Sequence, residues 1–241
     1  MVNELIAYCG PAAVPEDVWL RWNTDPVLIA ALAALAYGVA RRATHKNAGW
    51  AAIALMAVVF ISPLCALSSA LFSVRVLHHV ILVSAAAPLL ALAFPQRRAG
   101  VVPLALLVAA HAVALWVWHA PGPYAWGLAT VPGYWLMQLT LLGSAWWMWR
   151  AILANTTPNG SALVALAVTV GQMGLLGALI VFASGPLYPV HFASTLEWGF
   201  TLLADQQLAG LLMWVPAMLP YLATGLWLAW TSLRPNTEVA L

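Results

Sequence analysis

Long apolar runs separated by short polar breaks constrain the fold of this chain more than any other feature of its sequence. An α-helix needs about 20 apolar residues to cross a hydrocarbon core about 30 Å thick. The runs have approximate bounds of 26–41, 50–71, 74–94, 101–119, 133–153, 161–183 and 205–232. Charged residues make up only 7% of the chain, against about a quarter in soluble domains. We therefore predict an all-α, polytopic membrane helix bundle with about seven transmembrane helices.

The basic residues predict the orientation of the bundle, because Lys and Arg accumulate in cytoplasmic loops. Seven of the nine follow the first, third, fifth and seventh runs, namely Arg41, Arg42, Lys46, Arg97, Arg98, Arg150 and Arg234. Arg21 and Arg75 lie at the opposite ends of the runs, together with the amino terminus. This asymmetry predicts an extracytoplasmic segment over residues 1–25, a seven-helix domain over 26–233 and a cytoplasmic tail over 234–241.

Several functional classes are disfavoured by the sequence. The first 25 residues are acidic and broken by Pro and Gly, which is unlike a secretory signal and typical of an extramembrane segment. The net charge is +2 and the basic residues are scattered in loops, so nucleic-acid binding is not expected. No nucleophile motif, phosphate loop or dinucleotide fingerprint is present. We therefore predict that the protein is not an enzyme.

The two cysteines are Cys9 in the amino-terminal segment and Cys65 in an apolar run. Because the first is expected outside the membrane and the second within it, the sequence does not support a disulfide between them. Cys65 is interpreted as a small buried hydrophobe. Cys9 is either a bystander thiol or a group that captures a cuprous ion.

Polar residues that are costly to bury in a membrane gather at the predicted outer end of the bundle. They are His78 and His79 in the third run, His119 closing the fourth, His191 in an outer loop, and Asp205, Gln206 and Gln207 opening the seventh. With Met137 and Met213 nearby, imidazole, carboxylate and thioether groups suggest a copper site. Each histidine alone could be a structural group, and His111 near mid-depth is predicted to be one. Arg75 is expected to snorkel to water or to pair with Asp205 or Glu197, although a helix amino terminus would also stabilise Asp205.

Several segments, taken in order, resemble the CtaG/Caa-type cytochrome c oxidase assembly factors. They are RWNTDPVLIAALAALAYGVARR, LFSVRVLHHVILVSAAAPLLAL, WVWHAPGPYAWGL, PLYP, LADQQLAGLLMWVPA and LWLAWTSL. The resemblance implies a seven-helix protein of the bacterial cytoplasmic (inner) membrane that acts with haem-copper oxidase subunits and helps to deliver copper at the outer face. Residues of this chain that match the family motifs are His79, His119, Asp205, Gln206, Gln207, Trp214 and Pro216. Arg75 and Gln138 stand where the resemblance leads us to expect histidine.

Three hypotheses follow from these observations. The first is an assembly factor that binds copper through His79 and His119, completed by His78, His191 or Cys9. The second is a haem-binding electron carrier in which histidines on facing helices supply the axial ligands. The third is a metal-free assembly scaffold whose polar cluster only joins helices. Transport ranks lower, because the middle of the predicted bundle is nearly all apolar.

Overall fold

A computed structural model describes residues 7–233, and all regular secondary structure in this range is helical. The first six helices are α1 (Pro26–Arg42), α2 (Lys46–Ile61), α3 (Leu64–Ala70), α4 (Phe72–Val80), α5 (Ala87–Ala93) and α6 (Leu104–His119). The other six are α7 (Pro121–Ala129), α8 (Val131–Ile152), α9 (Asn159–Val181), α10 (Phe192–Glu197), α11 (Leu202–Trp214) and α12 (Leu219–Leu233). Short 3-10 turns occur at Val18–Leu20, Pro189–His191 and Pro216–Met218. The all-α class is thus confirmed; the tail over 234–241 lies outside the described residues.

Helix length and composition support membrane crossing for part of this bundle. Three helical stretches are long and apolar enough to cross by themselves, namely Phe72–Ala93, Asn159–Val181 and Leu202–Leu233. Two bent pairs, α2 with α3 and α6 with α7, raise the number to five within residues 7–233. The first predicted span is a helix of only 17 residues, and the fifth, α8, carries several tryptophans and Arg150. The count of seven spans and the orientation remain predictions.

Proline residues lie at two sharp bends, one inside the predicted span 50–71 and one just after the predicted span 101–119. The axes of α2 and α3 meet at 50° across Ser62 and Pro63, and those of α6 and α7 meet at 77° across Ala120. Proline has no backbone N–H and its ring clashes with the preceding turn, so a straight helix cannot continue through it. As a result, the run 50–71 is not one straight span, and part of the expected outer loop before α8 is helical.

The helix Phe72–Ala93 is the central element of the bundle. It consists of α4, a π-helical stretch over Ile81–Ala86, and α5. Its first part packs on α11, and its second part packs on α2 and α8. A π-helical stretch is uncommon and often marks a functional position in a helix. Here it begins two residues after His79. It therefore lies between α4, which carries Arg75 and the two histidines, and the apolar α5.

The amino-terminal segment folds against the end of the bundle where α1 begins. Cys9 and Cys65 form a disulfide, and the indole N–H of Trp198 donates to the carbonyl of Ala13 at 2.9 Å. The sequence-based reading of Cys65 as a lone buried hydrophobe, and of Cys9 as a free thiol or copper ligand, is therefore wrong. The reason is the break at Pro63: it ends α2 and turns α3, which carries Cys65, toward the amino-terminal segment.

Candidate functional site

Two imidazoles from neighbouring helices face each other in the buried part of the bundle. His79 in α4 and His119 at the end of α6 have ring centroids 5.9 Å apart and nearly perpendicular planes. Nδ1 of His119 donates to the carbonyl of Leu115 at 2.7 Å, so its Nε2 carries a free lone pair. That Nε2 is buried and has no hydrogen-bond partner. A held tautomer with a free nitrogen is the arrangement in which histidine binds metals.

His78 and Gln138 border this pair. The ring of His78 lies 5.9 Å from that of His79 and edge-on to Phe60 at 5.0 Å, and neither of its nitrogens has a hydrogen-bond partner. Nε2 of Gln138 lies 3.4 Å from Nε2 of His79, which leaves Nδ1 of His79 unpaired. Gln138, at an expected histidine position, thus contacts the pair through an amide that can donate a hydrogen bond to it.

Arg75 brings a permanent positive charge into the same region. It lies one turn before His79 on α4 and is completely buried. Its Nε donates to the carbonyl of Ser68 at 3.1 Å, and its guanidinium carbon lies 5.2 Å from the ring centroid of Tyr134. Arg75 therefore forms neither the predicted ion pair with Asp205 or Glu197 nor a contact with water. Its guanidinium instead contacts a backbone carbonyl and an aromatic ring. Within residues 7–233 the single ion pair joins Arg21 to Asp17.

Asp205 caps a helix. One carboxylate oxygen accepts the backbone N–H of Phe72 at 2.7 Å, and the other accepts the N–H and the hydroxyl of Ser73. Leu71, at the cap position of α4, has no side chain able to do this, so Asp205 supplies the cap from α11. The first N–H groups of a helix carry partial positive charge and need acceptors. Both oxygens are thereby committed to the start of α4.

His191 and Gln206 also have structural partners. Nε2 of His191 accepts the hydroxyl of Tyr124 at 2.7 Å, and its Nδ1 donates to the carbonyl of Ala70 at 3.2 Å. Burial, helped by the charge of Arg75, lowers the pKa of His191 to about 4. Gln206 accepts the N–H of Leu187 at 2.6 Å and donates to the carbonyl of Ile180 at 3.1 Å. These two side chains hold the segment between α9 and α11 in place.

The remaining predicted residues are dispersed. Met137 is fully buried in α8 beside Gly127 of α7, and Met213 is buried in α11. Gln207 is exposed. Trp214 packs on the glycines of α9, and Pro216 opens the 3-10 turn between α11 and α12. His111 is paired with Ser144 at 3.0 Å through Nδ1, whereas its buried Nε2 has no hydrogen-bond partner.

Three buried tyrosines that sequence analysis did not single out support the site. Tyr188 donates to the carbonyl of His119 at 2.7 Å, Tyr124 donates to His191, and Tyr134 stacks on Tyr8 with centroids 4.7 Å apart. Aromatic residues near the ends of membrane helices usually serve as interfacial anchors, so these tyrosines do not stand out in the sequence. The available signal was position, since Tyr124 follows the WHAP motif and Tyr188 lies in PLYP.

The donors that remain free are imidazoles. Their type suits copper, and the unpaired nitrogen of His119 is an orphaned buried polar atom of the kind that a metal would satisfy. Within residues 7–233, however, no group of three His, Cys, Asp or Glu side chains converges as a metal site would require. The described residues thus bring two imidazoles together and do not provide a larger ligand set.

Comparison with known proteins places these features in a family. A family model described as cytochrome c oxidase caa3 assembly factor (Caa3_CtaG) matches residues 98–235. The match contains His119, Gln138 and Asp205, whereas α4 with Arg75 and His79 precedes it. No curated protein and no solved structure matches the chain. Because the matched region is more than half of the 241 residues, the chain belongs to the Caa3_CtaG family of cytochrome c oxidase assembly factors.

Proposed function

We propose that this assembly factor handles copper for insertion into a haem-copper oxidase, and that His79 and His119 hold the metal. The observation that carries the proposal is that Nε2 of His119 is buried and unpaired in a ring whose centroid lies 5.9 Å from that of His79. A cuprous ion accepts few, soft or borderline ligands, so two neutral imidazoles are a suitable set. The role is transfer of an ion between proteins, without catalysis of a reaction.

We propose that the imidazole pair lies at the outer face of a bacterial cytoplasmic membrane. Support comes from the separation of charge along the bundle: Arg97 and Arg150 lie at one end, while the imidazole pair and the disulfide-linked segment lie toward the other. The positive-inside tendency then directs the imidazole pair outward. In this orientation the seven predicted spans leave the amino terminus outside, where subunits of the oxidase would receive copper.

Each residue near the pair has a distinct part in the proposal. Leu115 fixes the tautomer of His119, so that Nε2 faces the metal. Gln138 takes the place of a third imidazole, and its amide Nε2 can donate a hydrogen bond to Nε2 of His79. Tyr188 holds the carbonyl end of α6 and with it the position of His119. Asp205, His191 and Gln206 shape the surrounding helices.

Copper binding to purified protein tests the proposal. We expect about one cuprous ion per chain in competition with a chromogenic chelator, and loss of binding in both His79→Ala and His119→Ala. His111→Ala is the matched control, because it deletes a buried imidazole of the same bundle that is paired with Ser144. Stoichiometric copper in the His79/His119 double variant would refute the site. A Soret absorbance band lost in His79→Ala would instead support the haem-binding alternative.

The buried charge of Arg75 favours a second candidate, the metal-free scaffold. A guanidinium without a carboxylate partner raises the energy of a second cation nearby. If copper is nevertheless bound, Arg75→His should tighten it, since the change removes the charge and adds an imidazole one turn before His79. If wild type and Arg75→His both fail to bind copper while oxidase assembly depends on the protein, the scaffold is the correct function.

A further inference from the structure

A large cleft lies at the basic end of the bundle, far from the imidazole pair along the chain's central helix. Its volume is about 770 Å³, and it lies between the turn after α1, the segment after α5, the end of α8 and the first half of α12. Arg97, Arg150 and His45 line it together with Gln96 and Asn155, and no acidic residue is among its lining residues. A cleft of this charge attracts an anion.

Arg150 joins this cleft to a second, apolar groove. The groove has a volume of about 520 Å³ and lies along one face of α8, where Leu139, Leu142, Gly143 and Trp146 precede Arg150. Leu139 is eleven residues before Arg150, so the groove follows α8 for roughly 16 Å at 1.5 Å per residue. Its other walls are hydrophobic side chains of α1, α2 and α5 and the following Phe94.

The side chain of Arg150 lies at the boundary between the basic cleft and the apolar groove. Its guanidinium carbon lies 4.8 Å from the ring centroid of Trp146, and its Nε is buried without a hydrogen-bond partner. A buried, unpaired guanidinium N–H calls for an acceptor. Arg97, by contrast, is exposed at the rim and donates to the hydroxyl of Thr44 at 3.3 Å.

We propose that these two spaces form one binding site for an anionic phospholipid. The phosphate of the lipid accepts from Arg150 and Arg97 in the cleft, and one acyl chain lies in the groove along α8. Basic pockets at the cytoplasmic ends of membrane helices favour anionic head groups in this way. The site is independent of copper handling, because it shares no residue with the imidazole pair.

The continuity of polar and apolar space distinguishes a lipid from other occupants. A free phosphate would use the cleft and leave the groove empty, whereas an apolar partner helix would use the groove and have no need of the arginines. Gly143 keeps the groove open, since a Cβ at this position would meet no atom within 4 Å. A larger side chain there fills the acyl path without disturbing the helix packing.

The test is retention of lipid by the purified, delipidated full chain, measured by native mass spectrometry after incubation with phosphatidylglycerol or phosphatidylcholine. We expect phosphatidylglycerol to be retained about thirtyfold more strongly, on the scale of two basic contacts at about 1 kcal/mol each. The Arg97→Gln/Arg150→Gln variant should lose this preference. Arg41→Gln/Arg42→Gln removes two charges near the same end but outside the cleft, and should retain it.

A second pair of variants separates the lipid from other ligands. Gly143→Leu should lower phosphatidylglycerol retention several-fold, while Gly171→Leu, at an equally open helix position outside the groove, should not. Unfolding temperatures of both variants show that the bundle is intact. Equal retention of the two lipids, an unchanged preference in the double arginine variant, or full displacement of lipid by millimolar inorganic phosphate would each overturn the proposal.

Discussion

Replacement of Asp205 tests whether this buried carboxylate is a helix cap. In Asp205→Ala, the backbone N–H groups of Phe72 and Ser73 lose their acceptor. Asp205 is completely buried, so water cannot take over the role of the carboxylate. The start of α4, the helix that carries His79, would be left uncapped.

The magnitude follows from the groups left unpaired. Each buried donor without an acceptor costs about 1–3 kcal/mol, and the lost interaction between a carboxylate and a helix amino terminus adds about 1 kcal/mol. For the two N–H groups of Phe72 and Ser73, we therefore expect Asp205→Ala to lower the free energy of unfolding by about 3–7 kcal/mol. Asp205→Asn keeps one oxygen acceptor and should cost about half as much.

Reversible unfolding in mixed detergent, followed by far-ultraviolet circular dichroism, measures these differences. Gln207→Ala is the control, because Gln207 lies two residues further along α11 and is exposed; it should change stability by less than about 0.5 kcal/mol. Copper titration of Asp205→Asn adds a second readout. A loss of stability below 1 kcal/mol in Asp205→Ala would refute the cap, and loss of copper from a stably folded Asp205→Asn would make the carboxylate a ligand.

Three further predictions address other parts of the structure. The pKa of His191 is lowered to about 4 from an ordinary value of 6.5, so the unfolded chain binds the extra proton first. The contribution of His191 to the free energy of unfolding should therefore fall by about 3 kcal/mol as the pH drops from 6.5 to 4. A flat stability profile, or the same slope in His191→Gln, would contradict this. Cys9→Ser should lower the free energy of unfolding by about 4 kcal/mol, because the disulfide to Cys65 closes a loop across 56 residues. The same variant should expose the amino-terminal segment to protease, and an unchanged digestion pattern would count against this. Gly210→Ala should cost about 1–3 kcal/mol, since its Cβ would lie 2.7 Å from a carbonyl oxygen of α9, while Gly171→Ala has open space and should cost nothing.

The all-α class could be predicted from the sequence because apolar runs of membrane length form helices whatever their partners. The positions of Pro63 and Pro121 were also visible, yet the bends of 50° and 77° that follow them depend on how the helices pack. The disulfide was missed for this reason. Cys65 was assigned a depth from its place in an apolar run, and the break at Pro63 turned it toward Cys9.

The candidate site was predictable only as a collection of residue types at one end of the bundle. His79 and His119 do lie close together, with ring centroids 5.9 Å apart, while their role as metal ligands stays a prediction. Asp205 and His191 were grouped with them because carboxylate and imidazole are metal ligands, yet the same groups also cap helices and accept from hydroxyls. Phe72 and Asp205 are 133 residues apart. A local sequence motif cannot predict a helix cap formed across that distance.

Arg75 is a buried charge whose partners are set by the structural roles of its neighbours, and this affects any metal held by His79. A buried guanidinium normally requires a carboxylate, and Asp205 lies on a helix that packs directly on α4. Asp205 nevertheless serves the helix amino terminus, and Arg75 is left with the Ser68 carbonyl and the face of Tyr134. The charge that remains falls one turn from His79, so it opposes any cation held there. If copper is bound there as proposed, this charge weakens the binding and so favours transfer of the ion over storage; if no copper is bound, the same charge is the reason.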